Sequence, residues 1–195
     1  YKTMAGTRFF TKTTPLHDST AVSRVRRAGA LMVGKSSMHE LGMGITGLNT
    51  DCGTARNPHH PDHYPGGSSS GSAVAVASGI CPLALGMDGG GSIRIPASLS
   101  GVVGLKTTWG RISRSGTAPL SWSVSTMGPL GATVEDVAAG YVKIAGTDES
   151  DEWTKQQPEI HLQGFYESRL EGIRLGWFPD WFHHSKPEMA NAVKN

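Results

Sequence analysis

The order of apolar and polar residues along the chain predicts alternating helices and strands. Apolar residues at helical spacing follow Asp18, Ser19 and Thr20, which predicts a capped helix that ends near Gly29. Further helical segments are predicted at residues 36–41, 70–78, 93–99, 134–145 and from 185 onward. Short apolar or alternating runs predict strands at residues 30–33, 83–86, 102–106, 111–113 and 173–178. This alternation indicates an α/β fold, with a loop-rich stretch at residues 42–66 and a polar linker or excursion at residues 146–164.

Two glycine- and serine-rich segments, residues 66–71 and residues 89–92, stand out from this pattern. Glycine accounts for 26 of the 195 residues, and the excess is concentrated between residues 42 and 131. Glycine allows backbone N–H groups to converge on one point, and serine supplies hydroxyl groups. A hydrophobic core requires neither at this density, so the two segments predict an active site.

Composition excludes several other functions. The formal net charge is +2, from 18 Lys and Arg against 16 Asp and Glu, which is too small to indicate a nucleic-acid or membrane partner. Cys52 and Cys81 do not have C-x-x-C spacing, and the eight histidines form no H-E-x-x-H motif. His59, His60 and His63 lie in a Pro-rich loop with no carboxylate or cysteine at ligand spacing. We therefore expect no metal and no cofactor.

Three short motifs are set aside because their surroundings do not fit. Residues 29–36 match the P-loop pattern, but their central residues look like a strand and a helix precedes them. Residues 42–47 match G-x-G-x-x-G without a preceding strand. Residues 67–71 match the nucleophile elbow G-x-S-x-G with Ser69 as nucleophile, yet the prolines in residues 60–65 exclude the central strand that an elbow must follow. A Ser-His-Asp esterase is therefore the weaker interpretation.

The second segment is better placed for chemistry. A predicted strand at residues 83–86 leads into the loop 87–91, and Ser92 then stands at the N-cap of the next predicted helix. This arrangement aims backbone N–H groups and the helix dipole at a small volume beside a hydroxyl. Acyl transfer needs such a nucleophile together with donors for the oxyanion. Taken alone, a glycine turn capped by a serine explains the pattern equally well.

Taken together, the two segments resemble the amidase signature family. The resemblance is carried by residues 65–73, 85–96 and 101–108, and Ser92 follows Ser68 by 24 positions, as the serine spacing of that family requires. It extends over residues 5–145, whereas residues 146–195 match only loosely. The resemblance implies an amidase signature fold, in which helices cover both faces of a mixed β-sheet. Residues 1–195 would form one partial domain, incomplete at both ends.

The same resemblance implies a Ser–Ser–Lys triad. Ser92 would be the nucleophile that carries the acyl group, and Ser68, held by a cis peptide, would relay the proton. The backbone N–H groups of Gly89, Gly90, Gly91 and Ser92 would form the oxyanion hole. An uncharged lysine would be the ultimate base, which requires a pKa lowered by desolvation.

That lysine is expected upstream of the family position matched by residues 5–7. Lys35 matches a different family position, and Lys2 lies beside the missing motif. The chain has no initiator Met, so we expect a fragment that lacks its catalytic lysine and is inactive by itself. The first residues lack the apolar centre of a signal peptide, and a cytoplasmic location is the favoured expectation.

Residues 38–44 and 88–96 look most like the branch that contains fatty acid amide hydrolases, which implies a small-molecule acyl amide as substrate. Candidate substrate-binding residues are Arg94, Ser69 and Met43, although an ion pair with Asp88 explains Arg94 at least as well. One alternative is the subunit that deamidates glutamine for tRNA-dependent transamidation, which needs partner subunits. Another is a non-catalytic relative that acts as a binding protein. No direct nucleic-acid partner is expected, and a homodimer is possible.

Overall fold

A computed structural model describes residues 2–10, 14–118, 120–167, 169–176, 178–182 and 184–194. These residues form six α-helices and three β-strands. The chain divides into a larger unit, Tyr1–Leu162, and a smaller one, Gln163–Asn195. The larger unit contains α1 (Thr20–Arg27), α2 (Ser70–Ala77), β1 (Leu83–Asp88), α3 (Arg94–Ser100), β2 (Val103–Gly104), β3 (Thr126–Gly131) and α4 (Val134–Ile144). The smaller unit contains α5 (Pro179–Phe182) and α6 (Pro187–Lys194). Short 3₁₀ turns lie at Arg8–Phe10, Glu40–Gly42 and Glu152–Thr154.

Strand β3 is central, because the sheet of the described residues has the order β1-β3-β2 with antiparallel pairings throughout. The sequence analysis did not predict this strand, since its sequence TMGPLG contains two glycines and a proline. Pro129 is tolerated for a geometrical reason. Its carbonyl accepts from the Leu105 N–H at 3.1 Å, on the side of β2. The nitrogen and the carbonyl of one strand residue point to the same side, so the pairing of Pro129 with Leu85 of β1 needs no N–H from Pro129.

The two faces of the sheet carry separate hydrophobic cores. Met127 of β3 packs with residues of α1 and α4, whereas Leu130, whose side chain points to the opposite face, packs with residues of α2 and α3. The first core contains Ala21, Val25, Ile112, Met127 and Ile144. The second contains Ala73, Val76, Ile93, Ala97 and Leu130. The expectation of an α/β fold with helices on both faces of a sheet is therefore confirmed.

The caps of the predicted helices are present where the sequence places them. Ser19 accepts a hydrogen bond from the Val22 N–H and begins α1. Thr133 and Asp136 form a reciprocal capping box at the start of α4. With 11 residues, α4 is the longest helix of the described chain, and no helix there is long and apolar enough to cross a membrane.

The predicted buried strand at residues 30–33 is wrong. These residues belong to no strand, and Leu31 and Val33 are 90% and 66% exposed. The predicted strand at residues 111–113 is also wrong, because the Arg111 N–H donates to the Thr108 carbonyl in a turn. Of the predicted strand at residues 173–178, the described residues are not in a strand, and Trp177 lies outside them.

Residues 146–154 are not a linker, because they belong to the larger unit and their polar side chains are hydrogen-bonded within it. The carboxylate of Asp148 accepts hydrogen bonds from the hydroxyls of Thr20 and Ser113, each at 2.5 Å. Thr154 is fully buried, and its hydroxyl donates to the Asp148 and Asp151 carbonyls. Polar composition predicted solvent exposure here, but mutual hydrogen bonding allows these side chains to be buried.

Leu130→Ala is expected to lower the free energy of unfolding by about 2–5 kcal/mol, because it removes a fully buried side chain from between α2, α3 and the sheet. Urea unfolding of the 195-residue chain measures the change. Leu31→Ala is the matched control, and its 90% exposure predicts a change within about 0.5 kcal/mol. An equal loss of unfolding free energy in both variants would contradict the exposure of Leu31 and favour a buried strand at residues 30–33.

Candidate active site

The turn between β1 and α3 is organised by Asp88, whose side chain is fully buried. Its carboxylate accepts from the backbone N–H groups of Gly91 at 2.7 Å, Ile93 at 3.1 Å and Arg94 at 3.3 Å. These are N–H groups at the start of a helix, which have no partner within the helix. The N-cap position is Ile93, so Asp88 caps α3 and the expectation that Ser92 does so is corrected.

Arg94 forms a two-point ion pair with the same carboxylate. Its Nε and Nη2 atoms donate to the two oxygens of Asp88, each at 3.0 Å. Burial alone would raise the pKa of Asp88, but the hydrogen bonds from Arg94 and the backbone outweigh it and lower the pKa from 3.8 to about 2. Of the two interpretations of Arg94, the structure favours the ion pair over a substrate-binding role.

Gly91 has a backbone conformation that only glycine adopts readily. Its φ is +127°, and a Cβ there would lie 2.5 Å from the Cδ1 atom of Ile95. Its N–H points at Asp88 and so is not free to bind an oxyanion, which corrects the expectation for this residue. The N–H groups of Gly89, Gly90 and Ser92 are still predicted to donate hydrogen bonds to the oxyanion. Ser92 is partly exposed.

The first glycine–serine segment lies directly beside the second. The Ser69 N–H donates to the Ser92 carbonyl at 3.1 Å, which joins the two segments through their backbones. The Gly67–Ser68 peptide is cis, and Ser68 is 5% exposed. No strand precedes it in residues 60–65, so the elbow geometry is missing here. The structure thus places side by side the two segments that the sequence predicts to form one site.

The other two candidate substrate-binding residues lie in different surroundings. Ser69 is buried at the N-cap of α2, and its Oγ atom lies 2.8 Å from where a Cβ on Gly86 would stand. Met43 follows the 3₁₀ turn Glu40–Gly42 and is 71% exposed. Ser69 thus packs against β1, whereas Met43 faces solvent.

Lys106 is a site residue that the sequence analysis missed. Its Nζ atom donates to the carbonyls of Asp88 and Val124, each at 2.6 Å. Burial lowers the pKa of Lys106, the charge of Asp88 opposes this shift, and the charge of Arg94 adds to it. A signal was present, since Lys106 is the one charged residue in the apolar and glycine-rich run 101–106.

Lys35 and the three histidines of the Pro-rich loop make contacts away from Ser68 and Ser92. Lys35 donates to the Thr3 hydroxyl. The rings of His60 and His63 stack with their centroids 4.2 Å apart, and His59 is 2.9 Å from the Ser100 carbonyl. Among the described residues, no lysine is hydrogen-bonded to Ser68 or Ser92, and no three His, Cys, Asp or Glu side chains are placed to hold a metal ion.

An apolar cavity, which we call the indole cavity, lies near the turn between β1 and α3. It has a volume of about 420 Å³ and is lined by Trp109, Arg114, Trp122, Ser123 and Trp153. The Arg114 guanidinium lies 4.0 Å from the centre of the Trp109 ring and 5.5 Å from that of Trp122. The turn 121–125 runs from this cavity to Ser125, whose Oγ would lie 2.9 Å from a Cβ on Gly89.

These features define a small α/β unit with a serine at a strand-to-helix turn, and comparison with known proteins places it in a family. The family model described as Amidase matches residues 1–195. The chain belongs to the amidase family, which confirms the resemblance drawn from residues 65–108. The family match also agrees with the layered sheet and helices of the larger unit.

Two curated relatives and one crystal structure show how far the similarity extends. A fatty acid amide hydrolase of Oryza sativa subsp. indica is 43% identical over 201 residues, covering 100% of this chain and 33% of that protein. A glutamyl-tRNA(Gln) amidotransferase subunit of Symbiobacterium thermophilum is 48% identical over 159 residues, covering 82% of this chain and 33% of that protein. The native peptide amidase from Stenotrophomonas maltophilia is 42% identical with a TM-score of 0.78, covering 83% of this chain and 34% of that one. The chain spans about a third of the length of the relatives it matches.

The ionised Asp88 is expected to contribute about 2 kcal/mol to the free energy of unfolding at pH 7, because its pKa falls from 3.8 to about 2 on folding. A lowered pKa stabilises the fold above the unfolded value, and the contribution is lost as the pH falls through the folded value. The difference in unfolding free energy between the parent chain and Asp88→Asn should therefore be constant above pH 5 and shrink between about pH 4 and pH 2. Urea unfolding over this range measures it, and a difference independent of pH would contradict the assignment.

Proposed function

We propose that this chain carries the nucleophile and the oxyanion donors of an amide hydrolase, with Ser92 as the nucleophile. One observation carries the proposal, namely the hydrogen bond from the Ser69 N–H to the Ser92 carbonyl, which sets the two glycine–serine segments side by side. Ser68 adjoins this contact and is buried, whereas Ser92 is partly exposed. Acyl transfer needs an attacking oxygen beside a group that takes its proton, and we assign these two roles to Ser92 and Ser68.

In the proposed reaction, Ser92 Oγ attacks the amide carbonyl carbon while its proton passes to Ser68. The carbonyl oxygen becomes an oxyanion that accepts hydrogen bonds from the N–H groups of Gly89, Gly90 and Ser92. The C–N bond then breaks, and the amine leaves with a proton delivered through Ser68. Water attacks the ester on Ser92, releases the carboxylic acid and restores the hydroxyl. A neutral lysine, which the family resemblance implies, would draw the proton away from Ser68.

We further propose an acyl amide with an apolar portion, such as a fatty acid amide, as the substrate. Two observations support this choice. The fatty acid amide hydrolase of rice aligns with the whole chain at 43% identity. In addition, the indole cavity is lined mainly by aromatic rings and lies at the turn that touches Gly89. Ligand sites of about 300–1,000 Å³ with such linings commonly hold apolar groups.

A glutamine amidase that works within a tRNA-dependent amidotransferase is the second candidate. The amidotransferase relative from Symbiobacterium thermophilum, at 48% identity, favours it. Such a protein would act on a small polar amide and need partner subunits. Its substrate would not require an apolar cavity. The third candidate, a non-catalytic binding protein, would keep the fold without a reactive Ser92.

Ser92→Ala is expected to abolish covalent labelling by a fluorophosphonate in the longer protein predicted to carry this chain, since the phosphorus is attacked by the Ser92 oxygen. Ser68→Ala should slow labelling without abolishing it, because a water molecule can take over part of a relay. Gel-based detection of the labelled protein over time gives both rates.

Ser98→Ala is the matched control, because Ser98 is an exposed serine on α3, the seven-residue helix that follows Ser92. It should label like the parent protein. Undiminished labelling of Ser92→Ala would refute the nucleophile assignment. Absence of labelling in the parent protein would favour the non-catalytic relative.

Trp122→Ala is expected to raise KM for a long-chain acyl amide about tenfold, which corresponds to the loss of about 1.4 kcal/mol of binding free energy. The KM for a short amide such as acetamide should be unchanged, because it does not reach the indole cavity. Steady-state kinetics with both substrates measure the contrast, and Trp181→Ala, an exposed indole of the smaller unit, is the control. Equal effects on both amides, or a preference for glutamine, would overturn the apolar substrate.

A further inference from the structure

We propose that Lys106 is a positioning residue for the oxyanion hole, where its ammonium group holds and polarises the peptide bond between Asp88 and Gly89. The inference rests on the proposed function, because it concerns the Gly89 N–H as an oxyanion donor. Neither the family match nor the triad implied by the resemblance assigns a role to this lysine.

The geometry of one peptide unit carries the argument. Lys106 Nζ donates to the Asp88 carbonyl oxygen at 2.6 Å. That oxygen belongs to the same planar peptide as the Gly89 N–H, and in a trans peptide the two groups point in opposite directions. Among the described residues, the peptide preceding Ser68 is the only cis one. The pairing of Asp88 with Thr126 already orients this carbonyl, and Lys106, by holding it as well, helps to fix the direction in which the Gly89 N–H points.

The charge of Lys106 adds a second effect. A hydrogen bond from a cation is stronger than one from a neutral donor and draws electron density toward the carbonyl oxygen. The N–H of the same peptide then becomes a stronger donor, because hydrogen bonds at the two ends of a peptide reinforce each other. The gain is greatest when the Gly89 N–H meets a full negative charge, as in the tetrahedral intermediate.

Lys106 can hold this peptide because its own backbone is fixed to the sheet. The neighbouring Leu105 N–H donates to the Pro129 carbonyl at 3.1 Å. On the other side, the Thr107 hydroxyl donates to the Met127 carbonyl at 2.9 Å, and the Thr126 hydroxyl donates to the Thr107 carbonyl at 3.2 Å. Residues 105–107 are thus tied to β3 at both ends.

The turn 121–125 closes the other side of the peptide. Lys106 Nζ also donates to the Val124 carbonyl at 2.6 Å, and the next residue, Ser125, packs against Gly89. A Cβ on Gly89 would lie 2.9 Å from Ser125 Oγ, so a larger residue there would require the Ser125 side chain to move. The ammonium therefore joins the end of β1, residues 105–107 and the turn into one rigid support.

The nearby carboxylate does not compete for the ammonium. The two oxygens of Asp88 are already occupied by Arg94 and by three backbone N–H groups. Lys106 is consequently directed to the carbonyl of that residue and not to its carboxylate. The carboxylate of Asp88 thus holds the loop through its N–H groups, and Lys106 holds the same loop through the backbone carbonyl of Asp88.

Lys106→Met in the longer protein predicted to carry this chain should lower kcat about 10- to 100-fold, somewhat less than the ~10²–10³-fold cost of deleting a donor itself. The KM for the amide should stay within about twofold, because the effect arises in the transition state. A trifluoromethyl ketone matched to the substrate, which forms a hemiketal oxyanion on Ser92, should bind more weakly by the same factor as kcat falls. Lys106→Arg, which keeps the charge, should recover part of the loss.

Lys143→Met is the matched control, because Lys143 is an exposed lysine on α4 and should leave kcat unchanged. Thermal unfolding is measured for each variant. If Lys106→Met does not fold, Lys106→Gln, which keeps an N–H donor without the charge, replaces it and should show the same pattern at smaller size.

Two outcomes overturn the inference. One is a Lys106 variant that folds and keeps parental kcat and ketone affinity. The other is a variant that weakens the ketone and the unreacted amide equally, since that indicates a general structural role. The proposed function fails separately, through undiminished labelling of Ser92→Ala. If that variant loses labelling while Lys106→Met behaves like the parent protein, only the inference about Lys106 is wrong.

Discussion

The buried carboxylate of Asp88 is the interaction on which the rest of the site depends. A charge without water is stable only when hydrogen bonds replace its hydration, and here three backbone N–H groups and a two-point contact from Arg94 do so. Each of these contacts also fixes the chain that makes it. The carboxylate therefore sets the path of residues 88–94 and, with it, the place where Ser92 stands.

Three segments distant in sequence meet around this path. Ser69 joins the first glycine–serine segment to the second through a backbone hydrogen bond, and Lys106 joins the second to the turn 121–125. In both cases a backbone carbonyl, and not a side chain, is the shared group. Ser92, the proposed nucleophile, is therefore held in place through its backbone carbonyl.

Local signals made much of this arrangement predictable. Ser19 and Thr133 cap helices as their residue types indicate. The two glycine–serine segments, which the sequence analysis singled out together, lie side by side. The capping role of Asp88 was missed because a carboxylate at the end of a strand gives no sign of which N–H groups it will reach. The strand at residues 30–33 was predicted from apolar residues alone, yet Leu31 is exposed, since composition cannot reveal whether a neighbouring strand is within reach. Lys106 was missed for a related reason: its two carbonyl partners have no signature in the sequence.

Pro129 has a consequence for the length of a neighbouring strand. Leu105 and Pro129 face each other as a pair that would exchange two hydrogen bonds, but the proline has no N–H and only one forms. The ladder between β2 and β3 accordingly weakens at Leu105, and β2 ends after two residues. Lys106 is thereby left outside the regular ladder and able to turn toward the end of β1. The absence of an N–H group on Pro129 thus helps to determine which backbone carbonyls the ammonium group of Lys106 can reach.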